Sequence, residues 1–304
     1  MRRRGNMQPP KTVSEEILKK VKNGEISQSK VDQYHKLLER IKREILPHEV
    51  ITRNQFCEWF EKGQIDKEDV CHFLVQFSVF SNLFIEAQLK KTINAPSLEA
   101  MHTSKQILMN ELGVVFKATK KQSDNSSPSD LEEDIVQEEG TVDGGAFYFR
   151  AAHFEWMLRM ISHVGLTFND VGKRRHGTES TLFFCDELCR LYGSEDTQVG
   201  LGASFAVENW AAAGFWKELI KGLHIFKERE CPKLPLAFFN WHDKVEDQHA
   251  AHTWDELEEE FFSIELNEDK FFHGAKEMLD GVNSFWKGLN QDRKGREGVR
   301  RVQV

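Results

Sequence analysis

The chain has 304 residues, a formal net charge of −8, 39% hydrophobic and 30% charged residues, enough for one large folded domain or two small ones. Its basic residues gather at the ends, in residues 1–5 and 292–301, and short basic ends are ordinarily solvated, so no nucleic-acid partner is expected. No stretch reaches about 18 consecutive apolar residues and no apolar segment follows the first arginines, so a cytoplasmic protein with no membrane partner is expected.

Phenylalanine is over-used, at 23 residues beside 7 Trp and 3 Tyr, a bias that suits a dry, aromatic-lined helical core. The cysteines (Cys57, Cys71, Cys185, Cys189 and Cys231) are odd in number and lack framework spacing. Cys185 and Cys189 stand one helical turn apart without the second pair that a zinc site needs, so reduced core thiols are expected.

In chain order, residues 1–11 read as a disordered basic tail and 12–46 as a helical N-terminal extension closed by Pro47. A helical domain follows over 47–290. A short helix over 53–62 stops at Gly63. Asp66 then caps a long apolar helix through Val70, Phe73, Phe77, Phe80 and Phe84 to about Lys91. Ser97 caps another, which Gly113 ends. Residues 117–145, with Glu132-Glu133-Asp134 and Glu138-Glu139, form an acidic mobile insertion within that domain. Helices resume over 146–164, 179–192, 197–226, 235–262 and 267–289, and 291–304 is a basic C-terminal tail. Strand signals are nearly absent, so the fold class is all-α, a multi-helix bundle of about eight to ten helices.

The chemistry lies in ionisable residues where helical periodicity demands core. In Trp241-His242-Asp243-Lys244-Val245-Glu246-Asp247-Gln248-His249, three donor-type side chains stand at i, i+4 and i+7 and share one face. His153 falls among Phe149, Trp156, Met157 and Met160. Glu208 falls among Leu201, Phe205, Ala212 and Phe215, and Glu111 follows Ser104, Ile107 and Leu108. An unpaired buried carboxylate costs several kcal/mol, so three carboxylates and three histidines on inward faces call for a common explanation. A metal centre supplies one. Six such ligands exceed what one structural zinc takes and suit two metals. No inward Glu-x-x-His pairs of the ferritin type occur.

This pattern resembles the haem-oxygenase-like diiron oxidases and oxygenases, in which a Glu near the end of one core helix and a His early in the next precede a Glu and a final His-x3-Asp/Glu-x2-His. The resemblance spans about residues 46–289. It implies a haem-oxygenase-like fold with two Fe(II) ions (or Mn) held by Glu111, His153, Glu208, His242, Glu246 and His249, with Glu86, Glu139 and Asp143 as alternates for a further ligand. It also implies an O₂-dependent oxidoreductase acting on a small-molecule substrate by N-oxygenation, C–H cleavage or oxidative decarboxylation. A homodimer is compatible with it. Glu111 and His153 lie 42 residues apart, further than is usual in that family, because the acidic insertion intervenes. The alternatives are a metal-free member of the fold that binds haem or another cofactor, with His153 or His242 as axial ligand, and a helical scaffold protein. The loop Lys173-Arg174-Arg175-His176 offers Arg174, Arg175 and His176 as holders of a substrate anion, ahead of a helix capped by Thr178.

Overall fold

The computed structural model describes residues 10, 12–118, 145–149 and 153–302, with the backbone alone for 115–118, 145–149, 245–252 and 299–302. The expected disordered tail, apart from residue 10, and most of the expected insertion, including Glu139 and Asp143, lie outside the described residues.

Helices α1 (Glu15–Lys22), α2 (Gln28–Glu44), α3 (Glu49–Thr52) and α4 (Gln55–Phe60) lead into the long α5 (Lys67–Ile93) and α6 (Leu98–Leu112). Strands β1 (Val114–Ala118) and β2 (Gly145–Phe149) follow. Then come α7 (His153–Ser162), α8 (Glu179–Glu187), α9 (Thr197–Ala211), α10 (Phe215–Glu230), α11 (Ala237–Ser263) and α12 (Glu268–Val302). The starts follow from local chemistry. Ser14, Ser27, Ser97 and Thr178 accept hydrogen bonds from backbone N–H groups of the first turn, and Asp66 with Asp69 makes a reciprocal capping box. Gly113, in the left-handed region at φ 66°, stops α6. A π turn at Leu188–Tyr192 extends α8, closed by Gly193 N–H donating to the Leu188 carbonyl.

The core is aromatic, as the composition predicts. Phe73, Phe77, Phe238, Phe239 and Phe285 are at most 2% exposed, and the Phe77 ring lies 5.4 Å from that of Phe73 and 5.8 Å from that of Phe239. α5 is the one described helix long and apolar enough to cross a bilayer by length and composition. It buries Phe73, Leu74 and Phe77 within this core, the position of a central helix of the bundle. α1 and α2 bury Ile17, Tyr34, Leu37 and Ile41 in the same core.

α9 and α12 cross with almost no space between them. A methyl group at Gly202 would overlap the Phe271 carbonyl, and one at Gly274 would overlap the Val199 carbonyl. Glycines at the crossing let the two backbones touch.

Four expectations change. The helix expected over 146–164 begins only at His153, because residues 145–149 pair antiparallel with β1, Val114 opposite Phe149 and Ala118 opposite Gly145. The β-branched and aromatic residues of Val114-Val115-Phe116 and Phe147-Tyr148-Phe149 favour this ribbon, and it is the one departure from an all-α chain among the described residues. The helix expected over 197–226 is two, broken before Phe215, where Gly214 adopts φ 90°. The short helix expected over 53–62 is narrower, α4 alone, because Arg53 and Asn54 are extended, and a one-turn helix, α3, precedes them. The expected basic tail instead continues α12 to Val302. It is held down by Arg296, whose Nε lies 3.2 Å from Asp69 Oδ1, and by Asp292, 2.9 Å from His72 Nε2.

Candidate metal centre

The ribbon explains how two residues so far apart in sequence come to touch. β1 leaves the end of α6 and β2 returns beside it, so the first residue of α7 arrives at the last turn of α6. His153 Nδ1 lies 2.8 Å from Glu111 Oε2, with the side chains 12% and 14% exposed. In a neutral imidazole that contact puts the proton on Nδ1 and the lone pair on Nε2.

α11 brings His242 to the same place. Its ring lies 4.8 Å from that of His153 and stacks on Trp216 at 4.7 Å and 21°. Its Nδ1 donates to the Phe238 carbonyl at 2.7 Å, which again leaves the lone pair to Nε2. Phe238, Trp216, Trp241 and Trp156 surround the pair; the Trp241 ring is 4.6 Å from His153 and 5.7 Å from Trp156. The polar centre is thus enclosed by large apolar rings that limit the access of water.

Glu246 and His249 follow His242 at i+4 and i+7 within the continuous α11, and their side chains lie outside the described residues. Glu208 is partly buried on α9, and its charge acts on Lys91 and Tyr192. Glu86 is exposed, with its charge acting on Cys189 and Arg174. Among the described residues no group of three or more His, Cys, Asp or Glu is placed to hold a metal ion. What they bring together is His153, Glu111 and His242. These fit a metal centre in their chemistry: two imidazoles, each with Nδ1 anchored by an oxygen acceptor, present Nε2 as ligand atom. A carboxylate behind a histidine is the usual way of fixing such a ring.

The cations of the basic loop already have partners. Arg174 pairs with Asp186 at 2.7 Å, Lys173 donates to the Phe168 carbonyl at 2.7 Å, and Arg175 to the Asn169 carbonyl at 3.4 Å. Its cations are used by neighbouring acceptors at the surface, while Gln76 Nε2 donates to the His176 carbonyl at 2.9 Å.

Sequence reasoning missed a second polar cluster. Gln88 and Lys91 continue the α5 face of Phe77 and Phe84 at helical spacing, and that spacing was the available signal. They meet Tyr192 and Ser204, with Lys91 Nζ donating to Ser204 Oγ at 2.8 Å and lying 4.4 Å from the Tyr192 ring centre. Burial pulls the Lys91 pKa down, but Tyr192, Glu256 and Glu208 outweigh it and the net shift is upward. Burial pushes the Tyr192 phenol up to about 12.

No protein-family model matches the sequence, and no curated protein does. Solved structures do. A domain of unknown function with a heme oxygenase-like fold from Shewanella denitrificans OS217 superposes with a TM-score of 0.53 and 14% identity, over 88% of this chain and 94% of that one. A CADD-like protein of unknown function from Nostoc punctiforme PCC 73102 gives 0.55 and 15%, over 87% and 97%. The chain therefore has the haem oxygenase-like fold that its sequence led us to expect.

Proposed function

We propose that the protein is a non-haem dinuclear iron oxidase or oxygenase that uses O₂ to oxidise a small organic substrate. The observation that carries this reading is the pairing of His153 with His242 at 4.8 Å, each with Nδ1 tied to an oxygen. His242 also stands on a helix whose same face carries Glu246 and His249. His153, Glu208, His242, Glu246 and His249 would hold the metal ions, and Glu111 would either join them or hold the His153 ring. Bound iron supplies the electrons with which O₂ is reduced. The chain supplies the rest: Phe238 and Glu111 fix the two ring orientations, and Trp216, Trp241 and Phe238 keep water from the reacting groups.

Anaerobic loading with Fe(II) tests the reading. About two irons per wild-type chain are expected, with loss in both Glu208→Ala and His249→Ala. A wild-type content near zero sinks it.

A further inference from the structure

A cavity lies between the start of α4 and α12, on elements that the candidate metal centre does not use. Its volume is about 50 Å³, and Asn54 and Trp286 line it. The two residues are 5% and 2% exposed. Asn54 Nδ2 and Trp286 Nε1 are buried and have no hydrogen-bond partner among the described residues. Orphaned donors around one cavity are a standing cost unless something within it accepts from them.

The amides of this cavity are oriented by donors that cannot be reversed. Asn54 caps α4, and its Oδ1 accepts from the Cys57 backbone N–H at 3.1 Å, which makes Nδ2 the end left over. On α12, Arg293 Nε donates to Asn290 Oδ1 at 2.9 Å. Asn290 Nδ2 must then donate to Gln55 Oε1, at 3.3 Å, which leaves Gln55 Nε2 as a donor. The oxygens of all these amides are thus spent, while amide N–H groups remain. Asn283, which also lines the cavity, can present either end of its amide. Water would satisfy the orphaned donors, but it would bring hydrogens of its own to a wall with few acceptors for them.

The charges agree with this. Glu49, Arg53 and Lys287 are the charged residues that line the cavity, so a positive charge remains after Lys287 pairs with Glu49 at 3.2 Å. Arg53 is held loosely, 3.7 Å from Glu58. A donor-rich, positively rimmed cavity fits an anion. At about 10–15 Å³ for each water-sized group, such a volume takes about four heavy atoms. Tetrahedral dianions exceed it in both size and charge.

We propose that this cavity is a binding site for a small planar monoanion, with Asn54 Nδ2 and Trp286 Nε1 as its donors. The site is independent of the oxidase reading, and nitrate is the probe. Sodium nitrate is titrated into the metal-free full chain, labelled with ¹⁵N-tryptophan, at constant ionic strength, with sodium sulfate as the control. The indole N–H cross-peaks are followed by NMR, and Trp286→Phe identifies that of Trp286 by its loss. A saturable downfield movement of this peak is expected with nitrate and none with sulfate. Asn54→Asp still caps α4 but turns a carboxylate on the anion, so binding is expected to weaken by about 10-fold or more. Lys287→Met leaves Glu49 unpaired at the rim and is expected to weaken binding as well. No saturable movement, equal movement with sulfate, or movement shared equally by the other indoles overturns the proposal, as does an unchanged midpoint in Asn54→Asp. Should Asn54→Asp not fold, an unchanged midpoint in Lys287→Met overturns it instead.

Discussion

His153 Nδ1 and Glu111 Oε2 lie 2.8 Å apart across 42 residues of sequence. The contact is made at the last turn of one helix and the first residue of another, where neither side chain is held by the middle of an element. A carboxylate in that position fixes the tautomer and the rotation of the imidazole before any ligand arrives. Removing it is expected to weaken Fe(II) binding by about 10- to 100-fold in Glu111→Ala. Glu111→Gln keeps an oxygen acceptor and should fall between the two. Equilibrium dialysis under anaerobic conditions reads the difference, and equal affinities in all three proteins would remove Glu111 from the centre.

The α9–α12 crossing allows a sharp stability test. In Gly202→Ala the new methyl meets a backbone carbonyl of Phe271 that cannot rotate away, so a loss of about 1–3 kcal/mol is expected. Gly295→Ala on α12 meets nothing within 4 Å and should stabilise by up to about 1 kcal/mol through helix propensity. Urea midpoints of the two variants should therefore move in opposite directions.

Arg296 reaches back from α12 to Asp69, whose side chain is 4% exposed against 18% for the arginine. Arg296→Ala leaves that carboxylate buried without its guanidinium. The expected loss is about 3 kcal/mol, at the lower end for buried pairs because the arginine keeps some contact with water. Denaturant unfolding measures it, and a change under about 0.5 kcal/mol would show that Asp69 is satisfied by other groups.

His72 makes stability depend on pH. Burial and the nearby Arg296 hold its pKa below the usual 6.5, against the pull of Asp292 and Asp69. The folded value is thus lower than the unfolded one, so below about 6.5 the unfolded chain takes up a proton that the folded chain resists. The contribution of His72 is complete above 6.5 and declines as the pH falls through that value towards the folded one. His72→Gln should flatten this part of the stability profile between pH 7 and pH 5, and an unchanged slope would assign the effect elsewhere.

The elements legible in the sequence were those specified locally. Asp66, Ser97 and Thr178 announce their helices because a cap needs only its own first turn, and Gly113 announces a stop because only glycine enters that conformation cheaply. The column of His242, Glu246 and His249 was visible for the same reason, since one helix carries it. β2 was not, because Phe149 finds its partner Val114 across the acidic insertion and the aromatic run reads equally well as helix. That hid the position of His153, which opens α7 where an inward-facing middle position was expected. The break before α10 was masked by Ala211-Ala212-Ala213, good helix formers whose run ends in a conformational choice at Gly214. Arg174 and Arg175 looked poised for an anion because sequence shows charge but not the neighbours that consume it. Lys91 was passed over for the opposite reason, since its partners come from other helices.

Tyr192 owes its direction to a count. Each residue in an α-helix turns the chain by about 100°, so the extra residue accommodated in the wide turn at Leu188–Tyr192 re-aims everything after it by that amount. The phenol faces Gln88 and Lys91 because of this offset, and neighbouring residue types alone would not have put it there. Chain length at this point therefore acts as an address. A relative lacking one residue between 188 and 191 would keep the tyrosine, the lysine and the same bundle, yet turn its tyrosine away from the lysine.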